Sequence, residues 1–213
     1  MKKVILAAVF VLLSFVGNAQ ESKVYMGMSF GSSEPGGEIA SNFEKGRSFG
    51  MLNFGYRFTD QWGAVLNWSS SSHKIEDYDI HINIAYVAVG PMFTLPLNEK
   101  FALDIKPQYV IGMTGIYDDD IYASVVVDEV NGNDISRSVW IEDFTMKGNA
   151  FLLGTSLNYG MSKGIKFSIN LDYLSGEFNE FTGKVAGKST EFENYAFNAF
   201  TNLSIGVGIR YNF

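Results

Sequence analysis

Thr201–Phe213, TNLSIGVGIRYNF, closes the chain and decides how the rest of it is read. Its odd positions are Thr201, Leu203, Ile205, Val207, Ile209, Tyr211 and Phe213, and its even positions are Asn202, Ser204, Gly206, Gly208, Arg210 and Asn212. One set is mainly apolar and the other small or polar. Successive side chains leave a β-strand on opposite faces, so a period of two over this length specifies a strand with two unlike environments. Such a strand needs partners along both edges, and the upstream sequence repeats the same pattern.

Seven earlier stretches carry the split: Val24–Gly31, Ser48–Phe58, Trp62–Trp68, Ile80–Ala88, Phe101–Met113, Phe151–Tyr159 and Ile165–Tyr173. With the terminal stretch this makes eight strands. Their connections sort by parity. Those after strands two, four and six are short (Thr59–Gln61, Asn98–Lys100, Ser162–Gly164), whereas Ser32–Arg47, Ser69–Asp79, Tyr117–Asp143 and Ser175–Glu193 are long and polar. Short turns on one side and long loops on the other predict an all-β, eight-stranded antiparallel up-and-down transmembrane β-barrel with long extracellular loops. Aromatics gather near strand ends on the apolar face. Tyr56, Phe58, Trp62, Phe101, Tyr159, Phe167, Tyr211 and Phe213 lie by the short turns, and Phe30, Trp68 and Tyr173 toward the long loops. That distribution predicts two interfacial girdles, with the apolar face toward lipid. In strand four the apolar phase is even through Ala88 and odd from Phe93 to Leu97, which predicts a β-bulge at Gly90-Pro91. Pro107 lies about level with Pro91 and has no such phase change to accommodate it.

The start of the chain reads as an export signal. Lys2 and Lys3 precede an apolar run, Val4–Val16, and Gly17-Asn18-Ala19 supplies small residues for cleavage after Ala19. Residues 1–19 are thus read as a signal peptide and 20–213 as one barrel domain. Removing Lys2 and Lys3 leaves fourteen basic residues against 23 acids, a net charge of −9, which argues against nucleic acid as a partner. With no cysteine, the chain has neither a disulfide framework nor a lipoprotein anchor.

The polar faces of the strands project Arg57, Asp104, Lys106, Lys166, Asp172 and Arg210 inward, so a lumen polar network is expected, with Asp104 pairing to Arg57 or Arg210. Eight strands are just wide enough for such a lumen to be filled by its own side chains. His73 reads as a solvated loop residue and His81 as inward-pointing. Ser71, Ser72, His73 and Glu76 supply the residue types of a hydrolase, without the spacing that would show its geometry. No cofactor is implied. The third long loop is strongly acidic, yet Asn131-Gly132 at its centre is a strong hairpin signal. Centred there, strands five and six become one projecting hairpin. Glu129 then falls beside Asp134 and Asp120 beside Asp143, a possible weak cation site that would offset like-charge repulsion.

Together the signal sequence, eight alternating strands, parity-sorted loops and terminal Phe213 resemble the outer-membrane β-barrel domain family, and the hairpin resembles its OmpX-type members. The resemblance implies a bacterial outer-membrane location. It also implies that Leu203, Ile205, Val207, Ile209, Tyr211 and Phe213 form the strand read by the barrel assembly machinery. Outer-membrane lipid, lipopolysaccharide and an extracellular protein or surface ligand are the implied partners. A non-enzymatic binding or envelope-bracing role leads; a narrow porin-like conduit and a lipid-modifying hydrolase stand as alternatives.

Overall fold

The computed structural model describes residues 23–40, 42–75, 79–130, 133–160, 164–192 and 198–213, and of 123–137 the backbone alone. The proposed signal peptide and its cleavage point lie outside the described residues. Ten strands follow in order: β1 (Val24–Gly36), β2 (Gly46–Arg57), β3 (Trp62–Lys74), β4 (His81–Pro96), β5 (Phe101–Tyr117), β6 (Ile121–Val130), β7 (Asn133–Tyr159), β8 (Gly164–Val185), β9 (Lys188–Glu191) and β10 (Ala199–Asn212). Eight of them close an antiparallel ring, β1-β2-β3-β4-β5-β7-β8-β10, with β10 returning to β1. Closure removes the sheet's edges and satisfies the backbone internally, as a spanning structure must. The seam runs from Tyr25↔Asn212 to Gly36↔Thr201, and the Phe213 N–H donates to the Val24 carbonyl at 3.0 Å. β6 pairs with β7 and β9 with β8, so both belong to extensions beyond the ring.

Several strands are longer than their sequence signals. β8 reaches Val185 where Tyr173 was the expected end, and β7 is 27 residues long. The cause is an inversion of polarity along these two walls, β7 and β8. On β7, Phe151, Leu153, Leu157 and Tyr159 face outward in the lower half, with Ser156 and Asn158 buried inside. Above Ala150 the outward residues are Asn149 and Lys147, and Met146 and Phe144 are buried inside. β8 turns over in the same way, from outward Ile169, Leu171 and Tyr173 to inward Leu174 and Phe178. Below, the molecule is polar within and apolar without, as a lipid-embedded barrel is; above, it is built like a water-soluble β-structure. The upper interior is a packed core that includes Ile82, Ile84, Met113, Ile141, Phe144, Met146, Phe178, Phe181 and Phe200.

This inversion corrects the reading of β4. Ile82, Ile84, Tyr86, Ala88, Met92 and Thr94, all at even positions, are buried, so Ile82 to Ala88 face inward rather than toward lipid. The lumen changes character while the strand keeps its phase. No bulge occurs at Gly90-Pro91, where the register with β3 is continuous. The irregularity lies higher and in the neighbouring strand, where β5 inserts a residue between Val110 and Gly112 opposite Ala88 and Val87. The β4–β5 register is the same at Val89↔Tyr109 and Phe93↔Ile105, with no pairing between, which sets Pro91 opposite Pro107. Facing each other, the two missing N–H donors interrupt one ladder at one place while β3 and β7 keep pairing on either side.

Candidate functional site

The lower lumen is organised around Asp104, which is fully buried on β5. Arg210 of β10 donates to Oδ2 at 2.6 Å, Asn158 donates to the same oxygen at 3.0 Å, and Thr94 donates to Oδ1 at 2.7 Å. Arg57 completes the group with an ion pair to Oδ1 at 3.7 Å. The Arg210 guanidinium also lies 4.5 Å from the centre of the buried Tyr25 ring. Each of these side chains reaches the axis because it occupies the inward phase of its strand. A second chain runs from Lys106 Nζ to Ser156 Oγ and on to Asn170 Oδ1, both at 2.7 Å, while Asn67 donates to Gln108 Oε1 at 2.8 Å.

Of the expected network, Arg57, Asp104 and Arg210 thus come together directly. Lys106 belongs to the hydroxyl-amide chain. Asp172 leans over Gly154, where an added Cβ would stand 2.7 Å from its Oδ1 and 3.4 Å from Lys106 Cε. Lys166 is buried beside Arg210 on the adjacent strand, with no ion pair among the described residues. A cavity beside Lys106, Ser156, Asn158, Asn170 and Arg210 has a volume of about 20 Å³, on the scale of a single water.

A second polar cluster closes the upper lumen on the β1–β3 side. Ser33 donates to Asn202 Oδ1 at 2.6 Å, Asn202 donates to Ser71 at 3.3 Å, and Ser204 donates to Ser33 at 3.3 Å. His73 joins with Nε2 3.5 Å from Ser33 and Nδ1 3.3 Å from the Glu44 carbonyl. The carbonyl can only accept, so Nδ1 carries the proton, while Ser33 already gives its single hydroxyl proton to Asn202 and Nε2 only lies against it. His73 is therefore a buried residue of the barrel mouth, which corrects its reading as a solvated loop side chain. The two histidines exchange environments: His81 is half-exposed at the rim, 3.3 Å from Asp118, and does not point inward.

The hydrolase grouping is not assembled. Ser72 is one residue from His73 and so on the opposite face of β3, Ser71 is bonded to Asn202, and Glu76 lies outside the described residues. The serine beside His73 is Ser33, 1% exposed, and His73 itself is fully buried. Ser33 was the partner missed from sequence: the alternation of β1, extended by two residues beyond Gly31, puts it on the inner face, where Asn202 and Ser204 already stood as even positions of the closing strand.

Above the rim, β6 and β7 form the hairpin centred on residues 131 and 132, and Glu129 pairs with Asp134 in its backbone ladder. Their side chains lie outside what is described. Asp120 does not stand opposite Asp143, because a bulge between Val126 and Asp128 shifts the register and sets Ile121 against Ile141. Asp143 instead meets Lys184 of β8 at 2.5 Å, and that contact raises the lysine's pKa. Among the described residues no group of three or more potential ligands is placed to hold a metal. Tyr122 and Trp140 pair across the hairpin with ring centres 5.1 Å apart, both 63% exposed.

No protein-family model and no curated protein matches the sequence. Among solved structures, Neisserial surface protein A of Neisseria aligns with 92% of this chain and 100% of its own, at 13% identity and a TM-score of 0.52. The attachment invasion locus protein Ail of Yersinia pestis aligns with 90% and 100%, at 14% identity and a TM-score of 0.46. The outer membrane protease OmpT of Escherichia coli aligns with 91% and 98%, at 8% identity and a TM-score of 0.47. At such identities the likeness is one of fold. Ring closure, polarity and the likeness to Neisserial surface protein A agree, and the chain has the eight-stranded β-barrel fold of outer-membrane proteins.

Proposed function

We propose that this chain is a non-enzymatic outer-membrane protein that acts as a closed platform, holding the β6–β7 hairpin above the membrane to bind a surface partner. The observation that carries the reading is the upper core: Phe144, Phe178, Phe181 and Phe200 pack inside the ring at the level where a channel would need an open mouth. Beneath them the Asp104 network fills the lower lumen. A conduit for small solutes would require both to open together. The packed core suits a different task, since it makes the projecting wall a rigid stalk for β6, whose outer edge and Tyr122–Trp140 face are turned to solvent.

Planar-bilayer recording of the full refolded chain tests the proposal. The closed platform predicts no steady, repeatable conductance step. A stable single-channel level of reproducible size overturns it in favour of the conduit.

A further inference from the structure

The lower lumen holds more cation than anion. Arg57, Lys106, Lys166 and Arg210 point inward beneath the upper core, and among the described residues only Asp104 and Asp172 answer them, a surplus of two positive charges. Ionised groups at membrane depth need a counter-charge or a polar partner, because the hydrocarbon outside the wall screens nothing. Asp104 is already fully engaged, taking Arg210 and Asn158 on Oδ2 and Thr94 and Arg57 on Oδ1.

The surplus converges on one place. Gly27 and Ser29 on β1 and Gly208 on β10 are small residues of the inward phase at the seam. A Cβ on Gly208 would come within 2.6 Å of Ser168 Oγ and 2.9 Å of Asn170 Nδ2. The room these residues leave is the cavity of about 20 Å³, lined also by Asn53, Lys106 and Arg210. Its polar lining is a set of donors. Arg210, 6% exposed, gives Nη1 to Asp104, and its Nε and Nη2, the fork of the guanidinium, are buried without a hydrogen-bond partner among the described residues. Lys106 Nζ gives one of its three protons to Ser156, and Ser168 takes a proton from Asn170 while keeping its own. Against these stands one unpartnered acceptor of the lining, Asn158 Oδ1. Among the described residues no carboxylate lines the cavity.

We infer that this cavity is a halide site, taking one monatomic anion of the chloride class between the Arg210 fork and the Lys106 ammonium. A water satisfies the donors but leaves the surplus charge unanswered, whereas a halide does both. The volume excludes phosphate, sulfate and carboxylates, which bring several heavy atoms to a space on the scale of one. The site needs only the closed lower lumen and makes no demand on the hairpin or its partner.

Crystals of the full detergent-solubilised chain grown in sodium bromide test it directly, since bromide marks its own position by anomalous scattering. A peak in the cavity within hydrogen-bonding reach of Arg210 and Lys106 is expected. Bromide absent from the cavity, with water in its place, overturns the inference. Urea unfolding in lipid vesicles gives the energetic counterpart. With chloride replacing gluconate at constant ionic strength, each tenfold rise in chloride above half-saturation should raise the folded-to-unfolded ratio about tenfold. Asn53→Asp sets a carboxylate in the same wall with almost no change of shape, and should flatten that dependence and remove the bromide peak. A dependence equally steep in Asn53→Asp is a general salt effect and overturns the site, as does no dependence in the wild type. Neither result touches the closed platform, which bilayer recording tests separately.

Discussion

Asp104 is the residue on which the lower lumen depends. Among the described residues it is the single carboxylate that meets both Arg57 and Arg210, and four inward cations face only two inward acids, Asp104 and Asp172. Removing one partner of a buried ion pair leaves the other uncompensated in a poorly screened interior. Asp104→Ala is therefore expected to destabilise the barrel by about 3–5 kcal/mol. Urea unfolding in lipid vesicles reads this as a lowered midpoint, and an unchanged midpoint would mean that the arginines find other counter-charges. The residue was legible in the sequence because it falls in the inward phase of a strongly alternating strand. The environment of His73 was not, since its burial depends on Ser33, 40 residues from it in the chain, and on Asn202, 169 residues from Ser33.

At the scale of elements, β10 closes the ring, and its terminal residue makes the last rung through Phe213 N–H to the Val24 carbonyl, with Tyr211 packed on its ring at 5.1 Å. Deleting Phe213 is expected to lower the amount of folded protein in the outer membrane while leaving export intact. Normal membrane levels with normal protease resistance would contradict this. The β6–β7 hairpin was visible in its turn residues, but its register was not, because a bulge inside a run of β-formers leaves no mark on composition. Since Lys184 supplies a counter-charge to Asp143, protection at Val139, Trp140 and Ile141 should be the same in calcium and in chelator. Hydrogen exchange that accelerates on chelation would show that a cation holds the hairpin together. The two prolines teach a similar lesson: each alone argues against a central strand, and only their opposition across one ladder makes both acceptable.

For the whole molecule, the eight strands and their parity-sorted turns were legible because lipid enforces a strict alternation. The upper third was not. Where β7 and β8 leave the membrane their outward residues become polar and their inward residues apolar, so the same alternation continues with its meaning reversed. Ser175–Glu193 therefore read as a loop although β8 and β9 run through it. The central claim is that β7 crosses this boundary near Ala150, and the absence of native cysteine allows a direct measurement. Single cysteines at Trp140, Lys147, Phe151, Leu153, Phe144 and Met146 can be treated with a membrane-impermeant maleimide on the refolded barrel in vesicles. Positions 140 and 147 should label, 151 and 153 should be shielded by lipid, and 144 and 146 should be shielded by the upper core. Labelling at 144 and 146 with protection at 140 and 147 would place the apolar face outward along the whole strand and contradict the account.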